Sequence, residues 1–176
     1  MTDLDGTDAE LLALAHAIAE PDHPTKRAMA DWAAVSLSQH DLVAADLEST
    51  FAPDDWARCA EHGVFGLAVP TELGGQGADL ATVLLSLEGL GVGCRDNGLT
   101  FAICSQLLSS QEALVKFGTS EQQHRWLRPL IEGTALSAFA LTEPEIGSDA
   151  FNLSTRAERR SDGSFVLNGH KMWITN

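Results

Sequence analysis

Leu141-Thr142-Glu143-Pro144-Glu145-Ile146-Gly147-Ser148-Asp149 is followed, about one β-hairpin later, by Trp173-Ile174-Thr175-Asn176. The first stretch packs a proline, a glycine and two small hydroxyls into one turn. Pro144 fixes one φ, and Gly147 permits a positive φ or a close approach that other residues resist. Thr142 and Ser148 set hydroxyls beside backbone N–H groups, a combination that donates to a ring carbonyl or a pyrophosphate without any cation. Glu143, Glu145 and Asp149 would repel a phosphate placed beside them, so a phosphate there requires these carboxylates to point away or to pair with nearby arginines. The plainer reading of the turn is a solvated acidic loop with Asp149 as a cap.

Trp173 and Thr175 lie two residues apart, a period that puts both on one face of a strand. An indole at a strand end packs over a planar heterocycle, and a threonine hydroxyl holds a ring nitrogen in its plane. The plainer reading is a core tryptophan beside a solvent-facing threonine. Neither motif decides alone; their pairing at this spacing favours a flat ligand.

Upstream of the turn the chain reads as helix. Residues 7–19 place Leu11, Leu12, Leu14, Ala15 and Ile18 on one stripe, ended by Pro21 and Pro24. A second periodic stretch runs over about residues 25–47. Pro53, Asp54 and Asp55 start a third helix, with proline in the first turn and acids at the positive end of the dipole. Residues 64–69 are a short apolar passage, and residues 70–77 are a turn-rich loop. That loop lacks the strand–turn–helix context and the Lys-Ser/Thr ending of a nucleotide-phosphate loop. Residues 79–92 and 97–117 predict buried helices, the second closed by Gly118. Thr119 with Gln122 forms a capping box for a helix carrying Trp126, Leu127, Leu130 and Ile131.

The character changes at Thr134. Residues 136–142 read as a strand, and residues 152–160 and 164–175 as a hairpin turning at Ser161-Asp162-Gly163, with Asn168-Gly169 a second tight-turn signal. The plan is α+β: an all-α N-terminal helical domain over residues 1–133, then the first strands of a β domain over 134–176. Two or three strands cannot bury both faces, so the β part is expected to need more chain than it has.

Composition narrows the function. The 176 residues are 44% hydrophobic with a net charge of −14, enough for a core and the wrong sign for a nucleic-acid or anionic-membrane binder. The acidic N-terminus is unlike a targeting segment, and no apolar run is long enough to span a membrane. Cys59, Cys94 and Cys104 match neither a disulfide framework nor a metal-ligand spacing. They point to reduced thiols in a cytoplasmic protein, Cys104 as a small core residue. His170 and Lys171 read as solvated strand residues, and Arg125 and Arg128 as an exposed helix face.

Segments 139–149 and 168–176 resemble the acyl-CoA dehydrogenase signature: a Thr-Glu-Pro turn with Gly-Ser-Asp, then Gly-x-Lys-x-Trp-Ile-Thr-Asn. Gly66-Leu67-Ala68-Val69-Pro70 with Gly74-Gly75, and Phe117-Gly118-Thr119 with Glu121-Gln122, extend the resemblance upstream over most of residues 50–176. It implies a β-barrel-like middle domain that binds FAD. Phe139, Leu141 and Thr142 would line the flavin, with Thr142 bonding the pyrimidine side. Gly147 and Ser148 would sit where flavin meets acyl-CoA, Ser148 being the substrate contact. Trp173 would cover the ring, Ile174 would stand beside it, and Thr175 would bond near N5. No metal is implied. Phe139 stands where relatives often carry tyrosine, so a hydroxyl is lost. Glu145 and Ile146 stand where small residues are common, which alters the turn.

The implied reaction is α,β-desaturation of an acyl-CoA thioester, a carboxylate removing the α proton while the β hydrogen leaves as hydride to flavin N5. In the family the base is a glutamate of the C-terminal helical domain, to which nothing here corresponds. The resemblance therefore implies a C-terminally truncated chain, inactive alone, whose reading frame continues past Asn176. Electron-transfer flavoprotein is the implied electron acceptor, and a homo-oligomer, dimer or tetramer, the implied assembly. Two alternatives stay open: an oxidase or monooxygenase of the same fold, and a non-catalytic truncated partner subunit.

Overall fold

The computed structural model describes residues 6–176, with side chains described from Leu11 onward. The acids at positions 3, 5, 8 and 10 therefore lie outside the described side chains. Eight α-helices among the described residues run in order: α1 Gly6–Ala19, α2 Pro24–Ser36, α3 Leu42–Glu48, α4 Pro53–Glu61, α5 Leu80–Gly93, α6 Asn97–Ser105, α7 Glu112–Phe117 and α8 Ser120–Ile131. Strands β1 Arg156–Arg159 and β2 Phe165–Asn168 follow. The helical body and the antiparallel hairpin match the α+β expectation.

Local chemistry sets most helix boundaries. Pro24 and Pro53 open α2 and α4, where the missing N–H is no loss. Asp79 caps α5 by accepting from the Thr82 N–H at 2.7 Å, and Thr119 and Gln122 form the expected capping box on α8. The core gathers Leu37, Trp56, Phe65, Leu87, Leu90, Ile103 and Leu107. Leu11, Leu12 and Ile18 on α1 remain exposed.

The stretch 25–47 is not one helix. It breaks between α2 and α3, where Ser38 takes a φ of 57°. The cause is Asp55, whose buried carboxylate accepts the Ser38 N–H at 2.8 Å and an Arg58 N–H at 2.6 Å, with His40 Nδ1 3.5 Å away. This acid of the first turn of α4 thus also anchors the preceding loop. Asp41 then restarts the helix by accepting from Val43 and Ala44.

Residues 97–117 form a continuous helical rod, but Gln106–Gln111 within it is a π-helical turn. The Ser109 and Ser110 hydroxyls donate to the carbonyls of Ser105 and Gln106, bonding that competes with the regular helical ladder. Gln111 is 2% exposed, and its Nε2 has no partner among the described residues. Replacing it with leucine removes an unsatisfied buried donor, so Gln111→Leu is expected to raise stability by about 1 kcal/mol, read from denaturant melts. A loss of stability would mean that the amide bonds a water.

The β part departs furthest from expectation. The two strands pair with Arg156 opposite Asn168 and Arg159 opposite Phe165, and the chain turns at Ser161-Asp162-Gly163 as expected, Gly163 at a φ of 84°. The strands are shorter than expected, and residues 136–142 join no ladder. Pairing stops upstream of Arg156 because Ser154 and Thr155 are drawn off to Glu143. Asn168-Gly169 is not a turn but a close crossing: a Cβ on Gly169 would lie 2.1 Å from Thr155 Oγ1.

Candidate functional site

Two strips of backbone lie side by side. The Met172 N–H donates to the Thr142 carbonyl at 3.1 Å, Lys171 Nζ donates to the Leu141 carbonyl at 2.8 Å, and Asn176 Nδ2 donates to the Ser137 carbonyl at 3.2 Å. Residue 142 faces 172 and residue 137 faces 176, so the strips run antiparallel. Phe139, Leu141 and Thr142 on one strip are thereby brought beside Trp173, Ile174 and Thr175 on the other.

The faces of these strips are available. Phe139 is 49% exposed and Trp173 is 84% exposed. Trp173 does not continue a strand, as its two-residue spacing from Thr175 suggested; it takes a φ of 60°. That left-handed conformation is costly for a residue with a Cβ, and it arises where no ladder partner exists. The hydroxyls of Thr142, Ser148 and Thr175 have no partner among the described residues. Gly147 and Ser148 belong to neither strip. They follow a tight turn in which Glu143 and Ile146 exchange backbone hydrogen bonds of 2.9 and 3.1 Å, both are exposed, and nothing lies within 4 Å of a Cβ added at Gly147.

Glu143 organises the region. It is buried, and its Oε2 accepts from the Ser154 N–H at 2.7 Å and from the Ser154 hydroxyl. Its Oε1 accepts from the Thr155 N–H at 2.9 Å, the Thr155 hydroxyl, and Lys171 Nζ at 2.9 Å. The two hydroxyls, then the Ser154 N–H and the Lys171 ammonium, hold its carboxyl well below the usual carboxylate range, against the opposing effect of desolvation. Glu143 therefore does point away from the turn's open side, but it pairs with Lys171 rather than an arginine. Lys171 is correspondingly half-buried and not the solvated strand residue expected. Its partner lies 28 residues away, and no local pattern reveals it.

The remaining candidates fall away from the strips. Arg125 stacks on Trp126 at 4.8 Å and Arg128 pairs with Glu132 at 2.8 Å, both exposed on α8. The three cysteines are free thiols, and burial, then Cys94 and Asp55, push the Cys59 thiol up to about 12, which leaves it unreactive. Among the described residues no group of three His, Cys, Asp or Glu is placed to hold a metal, and no helix is long and apolar enough to cross a membrane.

Two exposed aromatic rings, unpartnered hydroxyls and an open glycine turn suit a flat, polar-edged ring held mainly by neutral donors. The residues present fit a flavin.

Comparison with known proteins defines the class. Residues 23–134 match the acyl-CoA dehydrogenase N-terminal domain, and residues 138–176 match the middle domain of the same family. The chain belongs to the acyl-CoA dehydrogenase family. It is 39% identical over 126 residues to an L-prolyl-[peptidyl-carrier protein] dehydrogenase of Pseudomonas fluorescens, covering 72% of this chain and 33% of that protein. It is 40% identical over 131 residues to a probable acyl-CoA dehydrogenase, YngJ, of Bacillus subtilis, covering 74% and 34%. The chain thus spans about a third of the length of these relatives. Among solved structures, the prolyl acyl carrier protein oxidase AnaB superposes with a TM-score of 0.79 at 38% identity, covering 85% of this chain and 39% of that one. PigA with FAD and proline superposes with a TM-score of 0.77 at 27% identity, covering 99% and 41%.

Proposed function

We propose that this chain supplies the flavin-facing strips and helical wall of an FAD-dependent dehydrogenase that desaturates an acyl thioester between its α and β carbons. The observation that carries the reading is the antiparallel approach of residues 137–142 and 172–176, which sets Phe139, Leu141 and Thr142 beside Trp173, Ile174 and Thr175. FAD is the cofactor, as family membership and the relative PigA support. When bound, it accepts the β hydrogen as hydride at N5. Thr142 would bond the pyrimidine edge of the ring, Trp173 would cover its face, and Thr175 would hold it by a hydrogen bond. Gly147 and Ser148 would form the part of the site shared by ring and thioester, with Ser148 bonding the substrate.

The base that removes the α proton is not Glu143. A carboxylate held below its ordinary range by five donors has little affinity for a proton at neutral pH. Glu143 holds the turn. The free cysteines support a cytoplasmic setting, electron-transfer flavoprotein is the proposed acceptor, and exposed Val92, Phe101 and Phe117 support assembly into dimers or tetramers.

Acyl-CoA is the first substrate reading. A second, a prolyl group on a carrier protein, is favoured by the likeness to the prolyl-carrier dehydrogenase and to AnaB. Both share the thioester and the pantetheine arm and differ in what lies beyond it. The test is the visible spectrum of the protein reconstituted with FAD, recorded anaerobically before and after adding acyl-CoA or prolyl-pantetheine thioesters. A flavin band near about 450 nm that bleaches with one class assigns the substrate. Bound flavin bleached by neither overturns the dehydrogenase reading and favours the monooxygenase branch; where bleaching does occur, oxygen reactivity of the reduced flavin separates an oxidase from a dehydrogenase. A protein that takes up no FAD favours the non-catalytic partner.

A further inference from the structure

The geometry points to Gln106 as a positioning residue for the flavin wall, acting through Ser137; this rests on the reading of the two strips given above. Gln106 is fully buried, yet both ends of its amide are bonded. Its Nε2 donates to the Leu130 carbonyl at 3.3 Å, and its Oε1 accepts the Ser137 N–H at 3.1 Å. A buried amide in a helical core is stabilising only when both ends are satisfied, and here the two ends grip two segments outside its own helix.

Ser137 is where these forces converge. Its N–H goes to Gln106, its hydroxyl pairs with the Ser110 hydroxyl at 2.5 Å, and its carbonyl accepts from Asn176 Nδ2 at 3.2 Å. Asn176 Nδ2 also donates to the Ala102 carbonyl at 3.1 Å. Gln106 and Ser110 both belong to the π-helical turn, and, four residues apart on one face, both reach Ser137. Ser137 lies two residues before Phe139 on one strip, and Asn176 ends the other. One residue therefore ties both strips to the helical rod, and Gln106 fixes its height. A shift of Ser137 would move Phe139 and Thr142 against Trp173 and Thr175, changing the ring's surroundings without removing any group that touches it.

The test compares Gln106→Met, which keeps the volume and removes both hydrogen bonds, with the unaltered protein. The readouts are the FAD dissociation constant, the visible circular dichroism of bound flavin and its reduction potential, each set beside the melting temperature of the apoprotein. Gln106→Met is expected to bind FAD about tenfold more weakly and to change the dichroism and potential of what remains bound. Ser110→Ala, which removes the hydroxyl pair with Ser137 and the bond from that hydroxyl to the Gln106 carbonyl while leaving both amide bonds of Gln106, is expected to move the same readouts in the same direction by about threefold in affinity; it keeps the test decisive if Gln106→Met fails to fold. A lower melting temperature with unchanged dichroism and potential in the variant that folds would reduce Gln106 to a structural role and overturn the proposal, while the flavin reading stands. An unaltered protein that binds no FAD would overturn both.

Discussion

Glu143→Gln is expected to lower the melting temperature by roughly 5–10 °C and to weaken FAD binding by at least about tenfold. The neutral amide presents an NH2 to groups that all donate, leaves Lys171 half-buried without its counter-charge, and frees Ser154 and Thr155 from the turn. Because the same carboxylate fixes the backbone between Thr142 and Gly147, loss of the knot reaches both the strip and the turn. The pH dependence carries a sign. Hydrogen bonds hold the folded carboxyl below its ordinary value of 4.5, so between the two values the unfolded chain binds the extra proton and stability rises with pH. The stabilisation is complete above the ordinary value and is lost as pH falls through it toward the folded value. Thermal melts from neutral pH down to about pH 3 should therefore fall more steeply for the unaltered protein than for Glu143→Gln, the two curves converging in acid. Parallel curves would show that Glu143 is not held as described. Lys171→Met should cost less, since the four hydrogen bonds from Ser154 and Thr155 remain.

The sequence was most legible where structure is local. The capping box at Thr119 and Gln122, the proline opening α4, and the turn at Ser161-Asp162-Gly163 each depend on residues within one turn of each other, and each is readable; Pro24, which reads as a helix stop, instead opens α2. Failures occurred where a distant partner decides. Asp55 looked like a first-turn acid, and its grip on Ser38 across 17 residues splits what periodicity joined. Residues 136–142 have the composition of a strand, but a ladder needs repeated backbone pairing: beside residues 172–176 the strip makes a backbone bond at Thr142, while the Ser137 N–H is committed to Gln106 across 31 residues. Of the three acids in the Thr142–Asp149 turn, Glu143 alone is buried and paired, while Glu145 and Asp149 stay exposed. Which cation would receive Glu143 was not legible, because Lys171 comes close only after the chain has turned through β1 and β2. Trp173 shows the same limit. Its spacing from Thr175 reads as a strand, while its φ of 60° breaks that path.

Gly89→Ala combined with Gly93→Ala is expected to destabilise the helical body strongly, whereas Gly91→Ala in the same helix should stabilise it. Alanine is favoured over glycine in a helix interior by about 1 kcal/mol, so propensity alone predicts a gain at all three positions. Packing reverses the sign at two of them. A Cβ at Gly89 would lie 2.2 Å from the Lys26 carbonyl oxygen, and one at Gly93 would lie 2.2 Å from the Ala30 carbonyl oxygen. Both obstructing atoms are backbone of α2 and cannot swing aside as a side chain would; only separation of α2 from α5 relieves them. Met29 and Ala33 then leave the core that they share with Leu87 and Leu90. Overpacking of this kind costs about 1–3 kcal/mol per site or more, and two sites on one helix pair consume much of a typical stability of about 5–15 kcal/mol. At Gly91 the nearest atom to an added Cβ is Thr100 Cγ2 at 3.8 Å, ordinary contact on an exposed face, so a gain of about 0.5–1 kcal/mol is expected. Urea melts of the three single variants and the double variant measure this directly. The close packing of α2 on α5 predicts losses at 89 and 93 and a gain at 91; gains at all three would mean that the two helices lie further apart than the backbone places them.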